Sequence, residues 1–112
     1  MAGKSLTRKI IEAHYVKGSM VPGKEVFLRA DQTLTHDINA VMTYLAFEAV
    51  GLPRVRTECS VSYLDHNLLY IDYKTPDDHI YLRSAARKYG VWVSQPGNGI
   101  CHAVQKIGRA HV

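Results

Sequence analysis

Apolar residues recur at helical spacing in three stretches of the chain and at strand spacing in some of the gaps between them. Leu6, Ile10, Ala13 and His14 lie three or four apart, which predicts a helix from Ser5 to about Val16. Gly18 and the Val21-Pro22-Gly23 turn stop it, and Glu25 to Ala30 then alternates Val26 and Leu28 against Phe27 and Arg29, as a strand does. Asp37 or Asn39 can cap a second helix through about Val50, with Val41, Tyr44 and Leu45, or Met42, Leu45 and Ala49, on its apolar stripe. Gly51 followed by Pro53 is a stop signal. Arg54 to Thr57 predicts a short strand, and Leu68 to Ile71 another short extended piece. The third helix carries the clearest signals. Thr75 reads as its cap, Pro76 as its first position, and Asp77-Asp78 complement its positive end. Arg87-Lys88 complement the negative end and Gly90 stops it, with His79 or Ile80, Leu82, Ala86 and Tyr89 on the inner face. Val91-Trp92-Val93 predicts a buried strand that leads into the Pro96-Gly97-Asn98-Gly99 loop and a further helix start near His102. Helices alternating with short strands predict an α/β fold with a partly parallel sheet.

Composition narrows the class without naming a chemistry. The 112 residues make one domain or part of one, with 46% hydrophobic and 21% charged residues, an ordinary globular balance. No apolar run approaches the roughly 20 residues of a membrane span. The opening Met1-Ala2-Gly3-Lys4-Ser5-Leu6 lacks the apolar core of a secretory signal, so a cytoplasmic protein is expected. A net charge of +4 raises the question of nucleic acid, but the basic residues are scattered and not interleaved with aromatics, which argues against that partner. The two cysteines, Cys59 and Cys101, form no CxxC pair and no disulfide framework.

Candidate chemistry gathers at two turns. In Pro96 to His102 the glycines and proline build a tight loop opening into a helix start, a place where backbone N–H groups and the helix dipole favour an anion. A histidine there, and another in Asp65-His66-Asn67, can exchange protons near neutral pH. Together they suggest a site for a carboxylate-bearing substrate. Two other classes stay open. One is a small metal module using His36, His66 and His102, although no two of these have a ligand spacing such as HxxxH. The other is a non-catalytic binding domain, for RNA among other partners, whose affinity would fall steeply with salt.

Four segments, in order, carry a resemblance. Lys4-Ser5-Leu6-Thr7 into Ile10 to His14, Asp31 to Thr35, Tyr63-Leu64-Asp65-His66-Asn67, and Pro96 to His102 resemble the N-terminal part of aconitase-superfamily hydro-lyases over residues 3 to about 106. Bacterial aconitate hydratases look the closer match, with homoaconitate and 3-isopropylmalate dehydratases as the alternative. The resemblance implies an enzyme of the tricarboxylic acid cycle that interconverts citrate and isocitrate through cis-aconitate. It also implies a [4Fe–4S] cluster held by three cysteines of a later domain. His66 would protonate the departing hydroxyl, Asp65 would orient it, and His102 would lie in the substrate pocket. His36 and Asp37, with Asn98 and Gly99, would line the tricarboxylate site, His36 standing where the family usually has Gln. Cys59 and Cys101 match no cluster ligand and are assigned to packing. Residues 1–106 are thus expected to be an incomplete first domain, inactive and marginally stable without the later domains. Residues 107–112, Ile107 to Val112, read as the translation of a common sequencing-adapter string and are expected not to be native.

Overall fold

Ser5 caps the first helix, its side chain accepting the Arg8 N–H at 3.2 Å, and α1 runs from Leu6 to Ala13 in the computed structural model of the chain. The described residues are 3–110, with side chains described up to Gln105, and they divide into two compact units between Asp31 and Gln32. In the first unit α1 ends at His14, short of the expected Val16, because Tyr15–Gly18 extends as β1. That strand pairs antiparallel with β2 (Val26–Leu28), inside the predicted strand. Gly18 makes the pairing possible: its φ is +111°, and a Cβ there would lie 2.5 Å from the Glu25 carbonyl oxygen. Tyr15 and Val16 continue the apolar spacing of the helix, so periodicity alone does not mark the change.

The second unit is built on three parallel strands. Its elements are β3 (Gln32–His36), α2 (Asp37–Val50), β4 (Cys59–Tyr63), α3 (Lys74–Tyr89), β5 (Trp92–Ser94) and α4 (Cys101–Ala110). The sheet order is β3-β4-β5, both pairs parallel, so the expected α/β class with a parallel sheet is what the chain adopts. Helices α2 and α3 pack on each other and on the sheet around Ala40, Tyr44, Leu64, Leu82, Ala85, Ala86, Tyr89 and Val91. Gly51 and Gly90, both with positive φ, end these helices where the sequence predicts.

Several boundaries differ from expectation. Neither Arg54–Thr57 nor Leu68–Ile71 is a strand. The strand lies at Cys59–Tyr63 instead, where Ser60 and Ser62 are buried and conceal the period-2 pattern. Ser60 Oγ meets Thr33 Oγ1 and Thr57 Oγ1, each at 2.5 Å, so hydroxyl pairs do what apolar contacts would do elsewhere. At the start of α3, Asp72 rather than Thr75 receives the first free N–H, from Lys74 at 3.0 Å, and Pro76 occupies the third helical position. Proline has no N–H, and a residue in the first turn has no helical acceptor for one in any case. His79, not Ile80, faces inward. Trp92, expected to be buried, is 73% exposed in a cross-sheet row with Val61 and Leu34. No helix among the described residues is long and apolar enough to cross a membrane. Of the suspect tail, Ile107 to Ala110 continue the α4 backbone, while His111 and Val112 lie outside the described residues.

Candidate active site

Parallel strands present their carboxyl ends along one edge, the usual place for a ligand in an open α/β sheet. His36 ends β3 and is level with Tyr63 at the end of β4, which in turn is level with Ser94 at the end of β5. The chain leaving β4 makes the Asp65-His66-Asn67 turn, and the chain leaving β5 returns through the glycine loop to Cys101 and His102. Residues far apart in sequence thereby meet. The His36 and His66 rings stack with centroids 4.3 Å apart and planes 29° from parallel. His102 stands edge-on to both, 5.3 Å from His66 and 5.9 Å from His36.

Asp65 links the two turns. One of its oxygens accepts from His66 Nδ1 at 2.7 Å, and the other accepts the Cys101 N–H, at the start of α4, at 2.5 Å. Burial raises the Asp65 pKa, but the Cys101 N–H and the His66 side chain outweigh it, so the carboxyl lies below its ordinary value. The same arrangement acts oppositely on the buried Cys101 thiol. Burial first, then the hydrogen bond and charge of Asp65, push it up to about 11. Cys101 therefore stays a thiol at neutral pH, in keeping with its expected packing role.

Asp37, expected on the substrate-facing wall, opens α2. It is 4% exposed, and its carboxylate faces the turn. It accepts the His66 N–H at 3.2 and 3.3 Å, the Asn67 N–H at 2.9 Å and His79 Nε2 at 3.1 Å. Sequence reading missed His79 and the Cys101 N–H as parts of this network. For His79 the available signal was a polar side chain on the inner stripe of a helix; for a backbone N–H there was none. Asn98 and Gly99 lie in the exposed loop before α4, where the Asn98 N–H is tied back to the Gln95 carbonyl at 3.2 Å. Gly97 and Gly99 both have positive φ, as a tight loop presenting N–H groups requires.

Two groups of side chains bear on metal binding. His36, His66 and His102 offer ring nitrogens within 4.8 Å of one another, and Asp65, His66 and Cys101 offer ligand atoms equally close. Stacked rings direct their in-plane lone pairs alongside each other, so His36 or His66 must turn before both reach one ion at about 2.0–2.1 Å. A [4Fe–4S] cluster does not fit this chain's own residues. It takes three cysteine thiolates where the chain has two cysteines.

The sequence matches no family model and no solved structure. It is similar to the 3-isopropylmalate dehydratase large subunit of Hydrogenobaculum sp., 27% identical over 104 residues, covering 91% of this chain and 24% of that protein. The 3-isopropylmalate dehydratase large subunit of Heliobacterium modesticaldum is 30% identical over 90 residues, covering 80% of this chain and 21% of its own length. The chain thus spans less than a quarter of the length of the curated relatives it matches. It is a distant homologue of 3-isopropylmalate dehydratase large subunits, a relationship that supports the aconitase superfamily of hydro-lyases and not aconitate hydratase in particular.

Proposed function

We propose that this chain supplies the acid side of a hydro-lyase active site, acting on a hydroxy di- or tricarboxylate within a longer enzyme. The observation that carries the reading is the Asp65–His66 pair, 2.7 Å apart, with His36 and His102 around it at the carboxyl edge of the sheet. Dehydration of such a substrate breaks a C–O bond, and the leaving oxygen needs a proton. With Nδ1 engaged by Asp65, His66 has Nε2 left to donate that proton, and water departs. The ionised Asp65 stabilises the imidazolium and fixes the ring plane. His102, His36 and the N–H groups around Asn98 and Gly99 would hold substrate carboxylates. The base that removes the carbon-bound proton, and the cysteines of any [4Fe–4S] cluster, would come from outside residues 1–112. Asp37 is a positioning group in this scheme.

Isopropylmalate is the substrate favoured by the relatives' names; citrate and isocitrate are favoured by the four motifs, and homocitrate chemistry belongs to the same class. The parent enzyme decides between them: assayed for formation of the unsaturated acid, it should act on one of these acids and lose about 10²- to 10⁴-fold in turnover on His66→Asn. Turnover unchanged by that substitution would remove His66 from the chemistry. A second reading, a histidine metal module, rests on the three nitrogens within 4.8 Å. Its test is the melting temperature of the 112-residue chain with and without Zn2+. A rise that disappears in His102→Ala supports it, and no rise removes it.

A further inference from the structure

Two buried polar residues behind the Asp65–His66 pair have a use that goes beyond the reading above and rests on it. Asp37 opens α2 and His79 lies on the inner face of α3, and they are 4% and 1% exposed. His79 stands between two partners, Asp37 Oδ2 at 3.1 Å from Nε2 and the Tyr70 hydroxyl at 3.0 Å from Nδ1, with the Tyr70 ring edge-on at 5.6 Å. A carboxylate and an imidazole are a costly means of joining two helices, since apolar side chains of similar volume would pack the same contact without desolvation. What apolar side chains could not do is accept hydrogen bonds. His66 and Asn67 belong to neither helix nor strand, and their N–H groups have no ladder partner; Asp37 accepts both. His79 in turn holds the Asp37 carboxylate against the turn.

We propose that Asp37 and His79 are positioning residues for His66: His79 orients the Asp37 carboxylate, and Asp37 clamps the His66–Asn67 backbone so that the imidazole stays stacked on His36 and bonded to Asp65. Asp37 also lies 3.7 Å from His66 Nδ1, so the clamp places a second carboxylate beside the ring.

The test is amide hydrogen exchange, with His66 ring-proton shifts, on the 112-residue chain and four variants: Asp37→Asn, His79→Leu, His79→Gln and Tyr70→Phe. Asp37→Asn and His79→Leu should speed exchange at the His66 and Asn67 amides about tenfold or more, the loss expected for a charge-assisted hydrogen bond. The Tyr44 and Leu82 amides, inside α2 and α3, should keep their rates, and the His66 ring protons should lose the shift induced by the stacked His36 ring. His79→Gln keeps a donor at the position of Nε2 and should restore both readouts; Tyr70→Phe should have a smaller effect of the same kind. Unchanged His66 and Asn67 rates would overturn the proposal. So would equal acceleration at Tyr44 and Leu82, or Gln behaving like Leu, because each of these means a pair that only joins helices. Should Asp37→Asn fail to fold, the His79 variants decide. Failure of the hydro-lyase reading would show in the substrate assay and leave these rates as they are.

Discussion

The two turns that deliver the candidate acid and the candidate carboxylate site are held in contrasting ways. The Asp65-His66-Asn67 turn is fastened at its side chains and its backbone, by Asp65, Asp37 and, behind them, His79. The loop from Pro96 to Gly99 is exposed and depends on two positive-φ glycines, with one carbonyl–amide tie at Asn98. Under the proposed function, the more heavily fastened turn is the one that would aim a proton, and the more lightly tied loop is the one that would receive the substrate. A general acid loses efficiency with small errors of direction, whereas a row of N–H donors can close on a carboxylate after it arrives.

Asp65 bridges the two turns, so its removal should break the contrast most severely. Its side chain is 5% exposed and accepts hydrogen bonds from His66 Nδ1 and the Cys101 N–H. Asp65→Ala should cost about 3 kcal/mol, measurable by urea denaturation, because both bonds involve a charged acceptor and their loss leaves the N–H of the buried Cys101 and the part-buried His66 Nδ1 unpaired. A loss under about 0.5 kcal/mol would show that the bridge is not formed. The same carboxyl sets a pH dependence. Its folded pKa is lowered from 3.8, so its contribution is fully present above that ordinary value and is lost as pH falls through the lower folded value. Asp65→Asn should remove that part of the acid-induced loss of stability.

The glycines of the loop separate strain from space. Both Gly97 and Gly99 have positive φ, +95° and +100°, and Ala at either position should cost about 1 kcal/mol through backbone strain. A Cβ on Gly97 meets nothing within 4 Å, whereas one on Gly99 would lie 2.8 Å from Val104 Cγ2 on α4. Gly99→Ala should therefore be the more destabilising of the two by thermal melting, and its effect should stay in the loop and the first turn of α4. Equal losses would mean that Val104 moves aside freely.

Much of this contrast could be read from the sequence, though unevenly. Turn chemistry is local, so Gly51, Gly90 and the glycines of the 96–102 loop signalled their roles directly. The Asp65-His66 pair likewise depends on adjacent residues and a family resemblance. Residues joined only by the sheet were harder to find. No spacing relates His36, His66 and His102, yet strand register brings them together at one edge. Strand β4 is hidden in the sequence because Ser60 and Ser62 are buried, Ser60 among hydroxyl partners, so burial there has no apolar signature. His79 reads as an alternative to Ile80 on an amphipathic stripe; its partners, Asp37 at 42 positions away and Tyr70, come from other parts of the chain.

The smallest effect sharpens the contrast at its other end, in the reactivity of the cysteines. Alkylation proceeds through the thiolate, and the Cys101 thiol is raised from 9.0 to about 11 by burial and by the adjacent Asp65 charge. At pH 8 it should react more slowly than the half-buried Cys59, which mass spectrometry of singly alkylated peptides would show. Asp65→Asn removes the charge while leaving the burial, so it should recover only part of the difference. A full recovery would assign the suppression to charge alone. No recovery would assign it to burial alone, and Asp65 would then hold the start of α4 through its geometry without altering the chemistry of the residue it touches.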